Sequence, residues 1–532
     1  MQVCLLNPPL SVHEFPHLAL PMLKGYLRAK GISCTVHDFN VEIMDEILAG
    51  GFEKIQRYFY ERGLRYSLQE LRGRFQDAKN VFACEIASGR EDRAQKLINT
   101  YLRIAGSNIF EVCFRPDSLD KIKKAYAETD VERDGNSIIR FMRERIRPWL
   151  QQNPADIIGI SIPFTSQIFY ALLLGREIKK WFPGVRVVMG GPQVSLFWRL
   201  LVEHPPFRAA FDGLIVGMGE LAMERYIRAV EKGEGLKDVP SLVSFDESGK
   251  LMVNPEGKIA RMEDIPLPDF SDLPLEKYVY AKLPYQFSRG CYWGKCAFCS
   301  YRDNKGYITR KVDAVLDHFD QMKKRYGVHA FQFIDDAIHP RLMEKMADGI
   351  LRRRMHLRYD AYLRLDSGFT AEVCRRLRDS GLHTALFGFE SANQRMLNLM
   401  NKGNTPENML GVLKNMHNAG IQSILSCLIG FPTETKEEAW DSIRFLRDNR
   451  RYYYWVYIVH FGMISDMREH YEEYGIVDLD DSSLIRYDDT GFVALGYPYR
   501  TTKGMSVDEA LKTIQEGRKE LGIQIFKDNF FS

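Results

Sequence analysis

Short apolar runs alternate with amphipathic stretches in two separate parts of the chain. Residues 2–6 (QVCLL) form an apolar run that stops at Asn7-Pro8-Pro9, and LPMLKGYLRAKG then carries apolar residues at helical spacing, closed by Gly31. CTVHDF reads as the next strand. At 156–162, DIIGISI is apolar throughout, as a strand covered on both faces must be, and the helix FYALLLGREIKKWF and the strands VRVVMGG and FDGLIVGMGE follow it. This β-α-β-α-β order predicts an α/β, Rossmann-like, doubly wound parallel sheet over residues 1–234. Ligand is expected at the carboxyl ends of its strands, where the loops holding Ser161, Gly190, Gly191, Gly217 and Gly219 lie.

The first pattern is interrupted at residues 41–150, where stretches such as FEKIQRYFYERGLRYSLQELRGRF keep helical spacing and lack strand-like runs, so a helical insertion is expected there. Residues 235–284 are rich in turns and prolines (IPLPDFSDLPLEKY) and read as a linker. The second alternation occupies 285–470. Its strand candidates YQFSRG, AFQFIDD, LRYDAYLRLD, TALFGFES, SILSCLIGFP and YYYWVYIVHF are separated by amphipathic helices such as VDAVLDHFDQMKKRYG. Six such units in series predict a partial (β/α)6 barrel with its active residues at strand carboxyl ends. The extension 471–532 adds an irregular stretch and a helix near VDEALKTIQEGRKELG.

Composition narrows the function classes. The net charge of +3 in 532 residues supplies no field that would steer nucleic acid or an acidic membrane, and the Arg352-Arg353-Arg354 cluster reads as a solvated helix face. The chain opens without a basic leader and has no uninterrupted apolar run of about 18 residues, which predicts a cytoplasmic protein with no membrane or nucleic-acid partner. Six of the nine cysteines (4, 34, 84, 113, 374 and 427) are scattered, which excludes a disulfide framework and predicts reduced thiols.

The other three, Cys291, Cys296 and Cys299, share one loop, SRGCYWGKCAFCSY, after the first barrel strand candidate. Three thiolates leave a four-iron cluster one ligand short, and an open iron can chelate a cofactor where a closed site would only store electrons. A structural zinc site is the competing reading and wants a fourth Cys or His close by; in sequence the nearest is His318, along a helix. A non-catalytic metal-binding module is the corresponding alternative function.

In these segments the chain resembles the radical S-adenosylmethionine (SAM) superfamily, specifically its cobalamin-binding-domain branch, over residues 1–40 and 154–470. The resemblance implies a [4Fe–4S] cluster on Cys291, Cys296 and Cys299 that cleaves SAM to methionine and a 5′-deoxyadenosyl radical. It further implies that Phe298 meets the adenine through its backbone, that Asp335 and Asp336 meet the methionine amino group, and that Arg364 and Glu390 meet the SAM carboxylate or ribose. Ile429, Gly430 and Glu434 in LIGFPTET match the adenine-binding segment of the fifth strand. One departure is that four residues, Tyr292-Trp293-Gly294-Lys295, separate the first two cysteines where most members have three; Gly294 is permissive enough to absorb the extra one.

Ser161, Gly190, Gly191, Gly217 and Gly219 fall, by the same resemblance, in a cobalamin-binding domain. No histidine has Asp two residues before it and Gly three after it, so the usual histidine ligand to cobalt is not encoded. The implied activity is methylation of an unactivated carbon, with an electron donor such as flavodoxin or ferredoxin as partner. A radical rearrangement or cyclisation, with or without cobalamin, is the alternative. LPYQFSRGCYWG and DSGLHTALFGFESANQRMLNLMNKG look similar to enzymes that mature ribosomal peptides, so a peptide or a small natural-product precursor is the expected substrate. The aromatic run Tyr452, Tyr453, Tyr454, Trp455 and Tyr457 reads as a strand packing its core, with lining of the substrate pocket as the second reading.

Overall fold

The computed structural model describes residues 1–11, 14–44, 118–257, 261–299, 306–464, 466–486 and 495–523, with residue 259 and scattered positions between 56 and 77. Most of the expected 41–150 insertion, including Cys84 and Cys113, lies outside the described residues; its end forms helices at Leu119–Glu128, Ser137–Phe141 and Arg147–Gln152. Two compact units divide between Tyr280 and Ala281. Among the described residues no helix is long and apolar enough to cross a membrane.

The first unit is built on β1 (Val3–Asn7), β2 (Cys34–Asp38), β3 (Ile157–Ser161), β4 (Arg186–Gly190), β5 (Gly213–Ile215), β6 (Leu242–Phe245) and β7 (Leu251–Val253). They run in the order β2-β1-β3-β4-β5-β6-β7, the first five parallel and the last two antiparallel. Every residue of β1 and β3 is buried, which explains why neither alternates polar with apolar. The doubly wound topology is as expected, and its strand order reverses between β1 and β3. The 235–284 segment is more than a linker, because β6 and β7 extend the first sheet. Its proline-rich part is also tied in: Tyr278 donates its hydroxyl to Asp38 at 2.6 Å, and Asp272 accepts the Val36 amide at 2.8 Å.

The second unit holds six parallel strands in sequential order: β8 (Lys282–Tyr285), β11 (Ala330–Phe333), β12 (Arg358–Leu363), β13 (Leu382–Glu390), β14 (Gln422–Ile429) and β15 (Trp455–His460). Among the described residues no ladder joins β15 back to β8, so the barrel is partial. Helices α1 (Val312–Tyr326), α2 (Pro340–Arg353), α3 (Ala371–Asp379), α4 (Pro406–Asn418) and α5 (Lys436–Asp448) separate the strands. Their starts are written in sequence; at α5, Thr435 accepts from the Glu438 amide while Glu438 accepts from the Thr435 amide, satisfying two orphan donors.

The first barrel strand differs from expectation. The chain leaves β8 at Tyr285, and Ser288–Arg289 (β9) pairs instead with Ile308–Thr309 (β10) in a small antiparallel ladder. Asp335 takes the amides that would continue β8, as described below. The extension folds onto the carboxyl ends of β14 and β15 within this unit: Tyr499 donates to the Gly430 carbonyl at 3.0 Å, and Arg518, on helix α6 (Val507–Glu520), donates to the Ile458 carbonyl at 2.6 Å. In the aromatic run that leads into β15, Tyr453 is buried as a core residue would be, while Tyr454 and Tyr457 are about half exposed at 52% and 47%.

Candidate active site

The cysteine loop is held by the strand ends around it. Cys291 forms a parallel bridge with Ala337, just past β11. The Ala297 amide donates to the Met400 carbonyl at 2.9 Å, and the Trp293 indole N–H donates to the Asn401 carbonyl at 2.8 Å. Gly294 has φ +59, so the residue permitted to absorb the longer spacing does adopt the left-handed backbone. Among the described residues no cysteine is in a disulfide, and no three of His, Cys, Asp and Glu converge on a single-ion site.

Cys296 is the most enclosed of the three. Burial pushes its thiol up, and the cations Lys402 and Arg364 pull it back toward the thiolate. Arg364, just beyond β12, donates from one guanidinium nitrogen to Cys296 Sγ at 3.8 Å and from another to the Lys402 carbonyl at 2.6 Å and Asn404 Oδ1 at 3.0 Å. Asp366 is its ion-pair partner at 3.2 Å and also accepts the Tyr292 hydroxyl. Trp293 lies over the guanidinium at 4.7 Å. Arg364 is thus held by its own chain and by the cysteine loop, with one guanidinium nitrogen facing Cys296.

Glu390 and Lys402 form a buried pair at 2.9 Å. The geometry is local: β13 carries a register shift between Gly388 and Glu390, and Glu390 has φ +62, so the bulge turns its side chain along the strand end. A Cβ on Gly388 would stand 2.4 Å from Glu390 Oε1 and 2.8 Å from Lys402 Nζ, so a side chain there would have to shift the ends of this pair. The Lys402 ammonium also stands 5.6 Å from the Phe298 ring centre, and Phe298 meets Phe431 edge to face at 6.3 Å.

The two aspartates after β11 have separate surroundings. Asp335 is buried and accepts from the amides of Phe287, at 3.1 Å, and Ser288, and from the Ser288 hydroxyl at 2.6 Å; burial pushes its carboxyl up to about 7. It serves the strand leading into the cysteine loop and has little left for a cofactor. Asp336 is reached by solvent yet enclosed by protein, and that desolvation pushes it up to about 6, with the Gly290 amide and Arg289 opposing.

At the end of β14, Ile429 is buried and Gly430, at φ +82, donates its amide to Glu434 Oε2 at 2.6 Å. Burial pushes Glu434 up to about 8, and its Oε1 is buried without a partner. A neutral carboxyl whose second oxygen is unengaged fits a hydrogen-bonding ligand.

In the first unit, Ser161 and Gly190 end adjacent strands β3 and β4, and Gly191, at φ +103, lets its backbone pass a Cβ distance of 2.9 Å from the Ile162 backbone. Gly217 donates its amide to Ser195 Oγ at 2.9 Å, and Gly219 begins the helix Gly219–Lys232. All five share one edge of the sheet. Sequence reading missed the residues at the reversal point itself: Gln167 is fully buried and donates to Asn7 Oδ1 at 3.0 Å and to the Pro8 carbonyl at 2.6 Å, and the exposed Phe164 meets His17 edge to face at 6.0 Å. Burial pushes His17 down to about 4, so the ring is neutral at pH 7. The Asn-Pro-Pro stop after β1 was the available signal. His339 was missed too; it packs edge to face on Tyr292 at 4.8 Å, closer in the fold to the cysteine loop than its sequence distance suggested.

A six-stranded parallel barrel with a cysteine loop after its first strand and charged residues at successive strand ends defines a cofactor-binding α/β enzyme fold. Residues 285–446 match the model of the radical SAM superfamily. It is 32% identical over 302 residues to an uncharacterized methyltransferase of Pyrococcus horikoshii, covering 55% of this chain and 64% of the relative. It is 24% identical over 318 residues to the anaerobic magnesium-protoporphyrin IX monomethyl ester cyclase of Rubrivivax gelatinosus, covering 57% and 56%. The chain therefore spans less than two thirds of either relative. Its fold is similar to that of the radical S-adenosylmethionine methyltransferase TsrM from Kitasatospora setae, solved with tryptophan substrate and a SAM analogue, at TM-score 0.60 and 15% identity over 97% of this chain and 88% of that one. The same enzyme has been solved with cobalamin and a [4Fe–4S] cluster bound.

Proposed function

We propose that the chain is a radical SAM enzyme that holds a [4Fe–4S] cluster on Cys291, Cys296 and Cys299 and methylates an unactivated carbon with the help of cobalamin. The observation that carries this reading is the cysteine loop itself: three thiols on one loop at the barrel mouth, with the most buried of them facing two cations. When bound, the cluster supplies the electron, SAM the radical and cobalamin the methyl group. The chain's residues position and seclude them. Asp336, the Glu390–Lys402 pair and the Phe298 backbone are the groups assigned to SAM, with Gly430 and Glu434 reading its adenine. A neutral Glu434 offers a donor at the unengaged Oε1 and suits a base-edge acceptor.

Cobalamin is assigned to the edge formed by Ser161, Gly190, Gly191, Gly217 and Gly219. A neutral His17 and an exposed Phe164 beside it suit the apolar face of a large, flat ring. A peptide or small natural-product precursor is the substrate class, and a flavodoxin or ferredoxin the electron donor. The test is iron, sulfide and corrinoid content of the anaerobically isolated chain, followed by reduction with SAM present. Formation of 5′-deoxyadenosine and transfer of a labelled methyl group supports the reading. The nucleoside without methyl transfer moves the assignment to a radical rearrangement or cyclisation, and protein without iron overturns it.

A further inference from the structure

Four features of the barrel meet at one guanidinium. Trp293, in the longer spacer of the cysteine loop, lies over Arg364 at 4.7 Å, and a Cβ on Gly403 would stand 2.3 Å from the indole, so the ring is seated against bare backbone. The indole N–H is fixed on the Asn401 carbonyl at 2.8 Å. Asp366, Asn404 Oδ1 and the Lys402 carbonyl hold the fork in place at 3.2, 3.0 and 2.6 Å. The remaining nitrogen points at Cys296 Sγ, 3.8 Å away, and Arg364 is buried at 5% exposure. Of the other charges nearby, Lys402 is a second cation beside Cys296 and is paired with Glu390 at 2.9 Å, while Arg364 is paired with Asp366 through the nitrogens that do not face the sulfur.

We infer that Arg364 is a positioning residue that sets the reduction potential of the cluster through Cys296, with Trp293 as the shield that keeps water from its charge. The inference rests on the cluster reading above. Reduction by one electron adds a negative charge to the cluster, and a fixed, dry cation donating to a ligand sulfur stabilises the reduced form more than the oxidised one, raising the potential. The spacing of four between the first two cysteines then has a use, since it supplies the aromatic lid.

The test is an anaerobic redox titration, followed by electron paramagnetic resonance, of the full chain reconstituted with iron and sulfide, beside Arg364→Met and Arg364→Gln. Both variants are expected to keep their iron and to show a more negative midpoint, by on the order of tenfold in the reduced-to-oxidised ratio at fixed potential, about 59 mV for one electron. Either variant decides alone if the other fails to fold. Full iron content with the wild-type midpoint, even alongside a lowered thermal midpoint, leaves Arg364 with a structural role only and overturns the inference. A wild-type chain that takes up no iron and sulfide fails the cluster reading instead.

Discussion

Asp335 receives Ser288 twice, through its amide and through its hydroxyl at 2.6 Å, and so ties the end of β11 to the chain that enters the cysteine loop. Replacing Asp335 with alanine leaves the buried amides of Phe287 and Ser288 without acceptors. The expected cost is about 3 kcal/mol in urea unfolding, whereas Asp335→Asn, which keeps an acceptor oxygen, loses less. Equal losses for the two variants contradict the hydrogen-bond account.

Glu434 carries a pH dependence of defined sign. Its folded value of about 8 lies above the ordinary glutamate value, so the native state retains a proton that the unfolded chain releases. Its contribution is full below about pH 4.5 and declines as pH rises toward 8, by a few kcal/mol in order of magnitude. Glu434→Gln keeps the neutral shape, so thermal melts of the two proteins should agree near pH 5 and diverge near pH 9, where the variant is the more stable. Parallel melting curves across that range count against a neutral Glu434.

Gly403 and Gly420 both have positive φ, +75 and +76, but only Gly403 is crowded. A Cβ at Gly420 meets nothing nearer than Arg378 at 3.9 Å, while at Gly403 it strikes the Trp293 ring. Gly420→Ala should cost about 1 kcal/mol for the left-handed backbone, and Gly403→Ala at least about 2 more for displacing the indole. Tryptophan fluorescence should change only in the second variant.

In the first unit, Tyr278→Phe removes one of the donors that hold the buried Asp38 carboxylate, whose other partners include the Asn7 amide at 2.9 Å and the Val41 backbone amide at 3.1 Å. Burial already raises the Asp38 carboxyl. Losing the hydroxyl should cost about 1–3 kcal/mol and be read as reduced stability of that unit by hydrogen exchange at β1 and β2. No change in exchange there would refute the role assigned to this bond.

Much of the architecture was legible because apolar runs and amphipathic helices are local signals. The β-α alternations of both units, five of the six barrel strands and the helix at 507–520 follow from them. Misreadings came where a distant partner changes the outcome. YQFSRG has strand composition, yet Asp335, about fifty residues on, captures the Phe287 and Ser288 amides and sends the chain out of the barrel. The turn-rich 235–284 segment hides two short antiparallel strands, β6 and the edge strand β7, and the start of β8, because strands of three or four residues need no long apolar run.

By itself, the sequence determined the two α/β units, the three-thiol loop and the positions of charge at strand ends, since these depend on residue type and spacing along the chain. Only the tertiary structure decided what those charges face. It turned Asp335 inward, held Arg364 between Asp366, Asn404, Trp293 and Cys296, and paired Glu390 with Lys402. Hydrogen bonds and ion pairs act over a few ångströms, and which side chains come that close is set by how the strands register and the loops fold back.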